Sequence, residues 1–146
     1  EVNVVTKMKE TNTVIGGEGN GGVIYPESHY GRDALVGVGL FLSHFVAEGK
    51  SMTALKATYP QYFISKNKLT LSPDMDVDKI LEGLKKKYAS EEITDIDGVK
   101  IDFKDGWVHL RKSNTEPIIR IYSESKDESA ANQLAEDVIK VAKSLY

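Results

Sequence analysis

The stretch 99-VKIDFKDGWVHLRKSNTEPIIRIYS-123 decides how this chain folds. Val99, Ile101 and Phe103 alternate with Lys100 and Asp102, the period of a strand with one face buried. Asp105-Gly106 is a hairpin-turn dipeptide, and Asp97-Gly98 just upstream is another. Trp107–Arg111 and Ile118–Ser123 read as two further strands. Three strands joined by short connections make an antiparallel meander, and a meander with one apolar face needs helices to cover it.

Both flanks supply those helices. Upstream, Tyr62–Leu71 reads as an extended run that Pro73 breaks. Asp76 then caps a helix whose Val77, Ile80, Leu81, Leu84 and Tyr88 share one face. Downstream, Ser125 and Glu128 have the spacing of a capping box, and the helix after them aligns Ala130, Leu134, Val138, Val141 and Leu145. Residues 61–146 are therefore expected to form an α+β domain, a four-stranded antiparallel sheet with helices on one face.

Residues 1–60 read differently. Val2–Glu10 looks like the end of a helix, stopped by Thr11-Asn12-Thr13. Val14-Ile15 is expected to be a short strand, Val23–Tyr25 another, with Gly16-Gly17-Glu18-Gly19-Asn20-Gly21-Gly22 between them. A helix capped by Asp33 runs to Glu48 and stops at Gly49. It is apolar nearly all round, which predicts a helix buried against a sheet. A short helix over Met52–Thr58 ends before Pro60. This is the pattern of the tail of an α/β domain. The chain opens at Glu1 inside a helix-like run, so it is expected to be a piece of a longer protein.

Composition narrows the function classes. Of the 146 residues 40% are apolar and 28% charged, which suits a packed globular chain. A net charge of −3 argues against a nucleic-acid surface, which needs a basic face, and no row of stacking aromatics is evident in the strands. The absence of cysteine removes disulfides, thiol nucleophiles and thiolate metal sites. No apolar run approaches the roughly 20 residues that span a bilayer, so no membrane partner is expected. No histidine or carboxylate spacing suggests a metal site, and no Ser stands in a nucleophile-and-base arrangement.

Two loops carry chemistry. In Arg111-Lys112-Ser113-Asn114-Thr115-Glu116-Pro117-Ile118-Ile119-Arg120, two arginines bracket three small polar residues between strands. Successive backbone N–H groups and hydroxyls can form an anion nest, and guanidinium forks match phosphate oxygens. The same residues also suit a plain polar hairpin with exposed arginines, one paired to Glu116. In the glycine-rich segment 16–22, Glu18 and Asn20 can bind the hydroxyls of a polyol, or the segment can be a simple glycine turn. It matches neither phosphate-loop nor dinucleotide glycine patterns. His44 reads as structural within its helix. His109, on one strand face with Trp107 and Arg111, reads as cross-strand packing or a pocket wall.

Together the two loops resemble those of the α-D-phosphohexomutase family of phosphoglucomutases, phosphomannomutases and phosphoglucosamine mutases. Gly17-Glu18-Gly19-Asn20-Gly21-Gly22 is similar to the family's sugar-recognition loop, G-E-x-S-x-H. Arg111–Pro117 with Arg120 is similar to its phosphate loop, R-x-S-[GN]-T-E-P-x-x-R. The resemblance implies that residues 1–60 are the end of a third, sugar-recognition domain. It implies that residues 61–146 are a fourth, TATA-binding-protein-like, phosphate-binding domain. By it, Glu18, Asn20 and, more weakly, Arg32 bind the sugar, and Arg111, Ser113, Asn114, Thr115 and Arg120 bind the phosphate. Asn20 stands where many members have Ser, and Gly22 where many have His, so the imidazole role is lost.

The family's phosphorylated serine and Mg²⁺-binding aspartate loop have no counterpart in this sequence. The resemblance thus implies a cytoplasmic parent enzyme that interconverts hexose 6- and 1-phosphates through a bisphosphorylated intermediate, with Mg²⁺ held elsewhere. The chain itself is expected to hold no catalytic or metal residues and to be inactive alone. The glycine-rich version of the sugar loop points to the phosphoglucosamine mutases, with the phosphomannomutases and phosphoglucomutases as alternatives. A free-standing phosphate-metabolite-binding module stays open beside them.

Overall fold

A computed structural model describes residues 2–72 and 75–146. Pro73, expected to end the extended run, lies outside the described residues. The chain divides into two compact units, Glu1–Tyr59 and Pro60–Tyr146. Among the described residues no helix is long and apolar enough to cross a membrane.

In the first unit, helix α1 (Val2–Thr11) leads to strands β1 (Gly16–Gly17), β2 (Val23–Tyr25) and β3 (His29–Arg32). They form an antiparallel sheet in the order β1-β2-β3. Helices α2 (Ala34–Glu48) and α3 (Met52–Lys56) follow. The first strand sits two residues later than the apolar pattern suggests. Gly16 and Gly17 pair with Ile24 and Val23, and Val14 and Ile15 stay exposed outside the ladder. Packing explains the shift. Buried Met8 lies where a Cβ at position 16 would stand, 2.2 Å from its Sδ, so glycine there leaves room for that side chain. Strand β3 was not expected, because His29-Tyr30-Gly31-Arg32 has no apolar alternation.

The ends of α2 are as the sequence implies. Asp33 accepts from the N–H groups of Leu35 and Val36, and Gly49 adopts the left-handed conformation at φ 60°. Its burial is not as expected. No α2 residue is buried, and Leu35 and Val46 are 84% and 77% exposed. Strands of two, three and four residues cannot cover a 15-residue helix. Val36, Gly37, Leu40 and Phe45 are half-buried, and Gly37 lies against the Val23 side chain.

The second unit is a five-stranded antiparallel sheet in the order β4-β8-β7-β6-β5. Its strands are β4 (Phe63–Thr70), β5 (Glu92–Thr94), β6 (Val99–Phe103), β7 (Gly106–Lys112) and β8 (Ile118–Ser125). The four expected strands are all present, and the three-residue β5 adds an edge. Helices α4 (Val77–Lys87) and α5 (Glu128–Lys143) cover one face. The core joins Ile80 and Leu84 of α4 and Val138 and Ala142 of α5 to Leu69, Val99, Ile101, Val108, Leu110, Ile119 and Ile121 of the sheet.

Three local details depart from the sequence reading. The α5 cap is Asp127, which accepts from the Ala130 N–H at 2.8 Å. Ser125 instead ends β8, buried, and its hydroxyl donates to the Asp105 carbonyl. The face of α5 is also rotated. Ala131, Ala135, Val138 and Ala142 are buried, Leu134 and Val141 pack half-buried against the core, and Leu145, past the end of the helix, is 38% exposed. Alanines on that face let the helix approach the sheet, where the buried Ser123 hydroxyl donates to the Ala131 carbonyl at 2.6 Å. Finally, the β6–β7 turn centres on Lys104-Asp105, since Phe103 pairs with Gly106. Gly106 is needed for another reason: a Cβ there would lie 2.2 Å from the Glu124 carbonyl oxygen.

Gly98 opens β6 at φ +80°, and a Cβ there would lie 2.2 Å from the Leu110 carbonyl oxygen. Left-handed strain and backbone overlap act together. Gly98→Ala is expected to cost about 2–4 kcal/mol, read as a lower urea midpoint with an unchanged m-value.

Candidate functional site

The connection between β7 and β8 is five residues, Ser113–Pro117. It is closed by backbone bonds from Ser113 N–H to the Ile118 carbonyl at 3.0 Å and from Ile118 N–H to the Glu116 carbonyl at 2.8 Å. A third bond, from Leu71 N–H to the Pro117 carbonyl at 2.9 Å, ties the loop to the chain just past β4. Ser113 is 7% exposed. Its Oγ accepts from the Thr115 N–H at 3.4 Å and stands 3.5 Å from Thr115 Oγ1. The loop therefore curls over its own hydroxyls, as small polar residues favour.

A cavity of about 180 Å³ opens on this loop, lined by Arg111, Lys112, Ser113, Asn114, Thr115 and Arg120. It gathers all five residues assigned to phosphate from the sequence. It adds Lys112, which the sequence reading quoted but gave no role. The volume suits one compact group and is below the roughly 300–1,000 Å³ that encloses a whole small ligand. Arg111 and Arg120 are direct cross-strand partners in the β7–β8 ladder. Each meets a carboxylate: Arg111 with Asp97 at 3.1 Å and Arg120 with Glu116 at 3.7 Å. All four side chains are about half exposed, so these pairs add little stability. What they do is hold two forks, on one face, beside the cavity. The role of Asp97 was hidden in sequence because its dipeptide reads as a turn. The turn exists, and it also brings a carboxylate to Arg111.

His109 lies on the outer face of the sheet opposite Tyr122, and its Nε2 stands 2.6 Å from the Asp97 carbonyl oxygen. It braces the Asp97 turn and does not line the cavity. Trp107 shares that outer face as the sequence implied, and Tyr122 joins it across the ladder, which the sequence alone did not indicate. Each already carries a lysine ammonium over its ring, Lys100 and Lys66 respectively, both at 5.6 Å.

The glycine-rich segment of the first unit is the tip of the β1–β2 hairpin. Glu18 N–H donates to the Gly22 carbonyl and Gly21 N–H to the Glu18 carbonyl, both at 3.0 Å, with Gly21 at φ 88°. Asn20 Oδ1 accepts from the Gly22 N–H at 2.9 Å, and the Asn20 side chain also hydrogen-bonds the Glu18 carboxylate. A cavity of about 680 Å³ lies beside this tip, lined by Asn20, Gly21, Gly22, Val23, Gly31, Arg32, Asp33 and Ala34. Asn20 and Arg32 line it; Glu18 does not, but Arg32 Nη1 stands 3.7 Å from Glu18 Oε2. The Arg32 stem fills the space beside Gly22, where a Cβ would lie 2.7 Å from Arg32 Cδ. Lack of a side chain at Gly22 is what lets the arginine lie across the hairpin tip. His44, expected to be buried, is exposed on α2.

Asp33 forms part of this cavity wall and caps α2. The Val36 N–H and the His29 ring, 3.1 Å away, hold its carboxyl below the ordinary value of 3.8. A depressed carboxyl contributes stability above its unfolded pKa and loses it as pH falls through the folded one. Asp33→Ala is expected to lower the melting temperature at pH 7. The gap between the two proteins should close as pH is taken below about 4, followed by thermal melts across the acid range.

Sequence relatives match in two adjacent parts. Residues 1–62 match the phosphoglucomutase/phosphomannomutase alpha/beta/alpha domain III, and residues 68–141 match the phosphoglucomutase/phosphomannomutase C-terminal domain. The phosphoglucosamine/phosphogalactosamine mutase of Sulfurisphaera tokodaii is 38% identical over 142 residues, 96% of this chain and 31% of that protein. The phosphoglucomutase/phosphomannomutase of Thermococcus kodakarensis is 41% identical over 140 residues, 94% of this chain and 30% of that protein. A solved phosphoglucomutase/phosphomannomutase family protein from Burkholderia thailandensis superposes with a TM-score of 0.72 at 26% identity, covering 97% of this chain and 30% of that one. The chain thus spans about a third of the length of the curated relatives it matches. The glycine-rich loop falls in the part matched to domain III and the Arg111–Arg120 loop in the part matched to the C-terminal domain, and the chain belongs to the α-D-phosphohexomutase family.

Proposed function

We propose that this chain is the substrate-holding part of a hexose-phosphate mutase, with glucosamine phosphate as the substrate. Residues 1–60 would supply the end of the third, sugar-recognition domain and residues 61–146 the fourth, phosphate-binding domain. The observation that carries the reading is the cavity at Arg111–Arg120. Two opposed guanidinium groups and a hydroxyl-lined turn surround a space the size of one anionic group. That chemistry fits a phosphate monoester.

The proposed division of labour follows from the reaction. The parent enzyme passes a phosphoryl group to the sugar phosphate, the bisphosphorylated sugar turns over, and the other phosphate is taken back. In both orientations one phosphate must rest on the same fixed clamp, so the clamp positions and stabilises charge and breaks no bond. Glu18, Asn20 and Arg32 offer a carboxylate, an amide and a guanidinium to the sugar. Glu18 can accept from a hydroxyl or pair with a 2-ammonium group, which favours an amino sugar. The Sulfurisphaera relative supports the amino-sugar reading, and the Thermococcus relative supports phosphoglucomutase/phosphomannomutase chemistry as the second reading.

Family resemblance expects Mg²⁺ in the parent. Among the described residues no three His, Asp or Glu side chains are grouped so as to hold a metal ion. This chain's residues do not fit one, and no step is assigned through it.

Titrating the chain with glucosamine 6-phosphate is expected to move the amide resonances of Ser113, Asn114 and Thr115. Arg111→Ala and Arg120→Ala are each expected to weaken binding about tenfold or more, the scale of a lost charge-assisted hydrogen bond. Resonances that shift elsewhere while these three stay still would overturn the assignment. The chain alone is expected to show no mutase turnover in a coupled assay. On the full-length parent, kcat/KM should rank glucosamine phosphate above mannose and glucose phosphates.

A further inference from the structure

We infer that Lys68, on strand β4, is a third cationic ligand of the phosphate held at the Ser113–Thr115 loop. The inference rests on the phosphate reading above and extends it to a residue outside the loop.

The register of the sheet carries the argument. Lys68 pairs with Arg120 across β4 and β8, and Arg120 pairs with Arg111 across β8 and β7. Three cations therefore stand in one cross-strand row. Their sequence neighbours Leu69, Ile119, Ile121 and Leu110 are buried in the core beneath the helices. Alternation along a strand sends Lys68, Arg120 and Arg111 to the opposite face, and all three are exposed there. Arg111 and Arg120 line the cavity, and Lys68 stands one strand beyond Arg120, outside its lining.

Distance and anchoring fit as well. Neighbouring strands are about 4.8 Å apart, and a lysine ammonium rides on a flexible four-carbon stem. From the position beside Arg120 it can reach an anion that Arg120 holds. The end of β4 is fastened to the loop, through Thr70 paired with Ile118 and Leu71 N–H bonded to the Pro117 carbonyl at 2.9 Å. Lys68 thus keeps a fixed place relative to the loop.

Charge balance singles Lys68 out. Arg111 has Asp97 and Arg120 has Glu116. Among the described residues Lys68 has neither a carboxylate nor an aromatic ring as partner. Like charges placed directly opposite in a sheet oppose pairing, and an anion on the row relieves that opposition. Lys66, one row further along the same strand and face, differs in the respect that matters. Its ammonium lies over the Tyr122 ring, and it pairs in register with Tyr122 and not with an arginine. It is the matched control.

The test titrates inorganic phosphate into the chain at low ionic strength, following the Ser113–Thr115 amides in the wild type, Lys68→Gln, Lys68→Arg and Lys66→Gln. Melting temperatures should agree, since both lysines are exposed. Lys68→Gln is expected to weaken binding about three- to tenfold, Lys68→Arg to restore most of it, and Lys66→Gln to change it less than about twofold. A phosphate monoester gains its second charge near pH 6; inorganic phosphate does so at a nearby pH. The wild type should therefore gain more affinity between pH 5.5 and 7.5 than Lys68→Gln does, which a purely structural role would not produce. If the loop amides move in the wild type and Lys68→Gln binds as tightly, or no more weakly than Lys66→Gln, the inference about Lys68 is overturned and the loop assignment stands. If the wild-type loop amides do not move at all, the phosphate reading fails, and the role of Lys68 with it.

Discussion

The register of β7 against β8 is the constraint on which the second unit depends. It sets Arg111 opposite Arg120 and, through β4, brings Lys68 into the same row. It also sends Val108, Leu110, Ile119 and Ile121 together into the core. A slip of one residue would turn one of the two strands over, burying its arginine and exposing its two core residues. The core thus enforces the site: the hydrophobic free energy that selects this register also fixes where the guanidinium groups stand. Gly106 helps hold it at the far end, because the chain there passes the Glu124 carbonyl more closely than any Cβ would allow.

The outer face works against the fold it sits on. Directly opposed arginines cost stability, and the exposed carboxylates Asp97 and Glu116 return little of it. Such an arrangement makes sense where an anion is the missing partner. The carboxylates stand beside the guanidinium groups at single, partly solvated contacts, which keeps the forks in place yet leaves them exchangeable. A phosphate monoester offers three oxygens and up to two charges, so it can engage both forks together, which neither carboxylate does. Local instability at the loop is tolerable because the helix-covered face carries the core.

How far the sequence could be read depended on whether a residue's role is local. Alternation at Val99, Ile101 and Phe103 found β6, and the Asp33 and Asp76 caps found two helix starts, because both signals lie within a few residues. That the residues of the Arg111–Arg120 loop gather around one cavity was legible for the same reason: they are contiguous. Roles set by partners far along the chain were not. Ser125 looked like a cap because Glu128 follows it, yet its hydroxyl is drawn to Asp105, twenty residues away. The α5 face was only partly placed: Val138, Leu134 and Val141 do pack on the core, but large apolar residues outweigh alanines in any periodicity count. The backbone approach marked by the Ser123–Ala131 bond favours the alanines. Asp97 reads as a turn former until β6 and β7 pair and bring it to Arg111. β3 escaped because its partner strand, not its own composition, makes it a strand.

Helix α2 shows the same logic from the other side. Its sequence is apolar nearly all round, which correctly describes what it can bury, but burial needs a partner of matching size. Within its unit the helix meets a small sheet, chiefly where Gly37 lets it settle against Val23. Its caps are nevertheless complete, with Asp33 satisfying two N–H groups at one end and Gly49 turning the chain at the other. The helix is therefore defined by its own termini, not by its packing. That matters for the site beside it: Asp33 and Ala34 form part of the wall of the cavity that Asn20 and Arg32 line. Where that wall stands is set by the cap and by the β2–β3 pairing that leads into it, both of which are local to the hairpin tip. The residues proposed for the sugar are thus positioned by short-range hydrogen bonds and glycine geometry, whereas those proposed for the phosphate are positioned by a long-range core. Substitutions in the core should consequently reach the Arg111–Arg120 loop through register, and substitutions at the hairpin tip should alter the cavity beside Asn20 and Arg32 without needing to disturb any core at all.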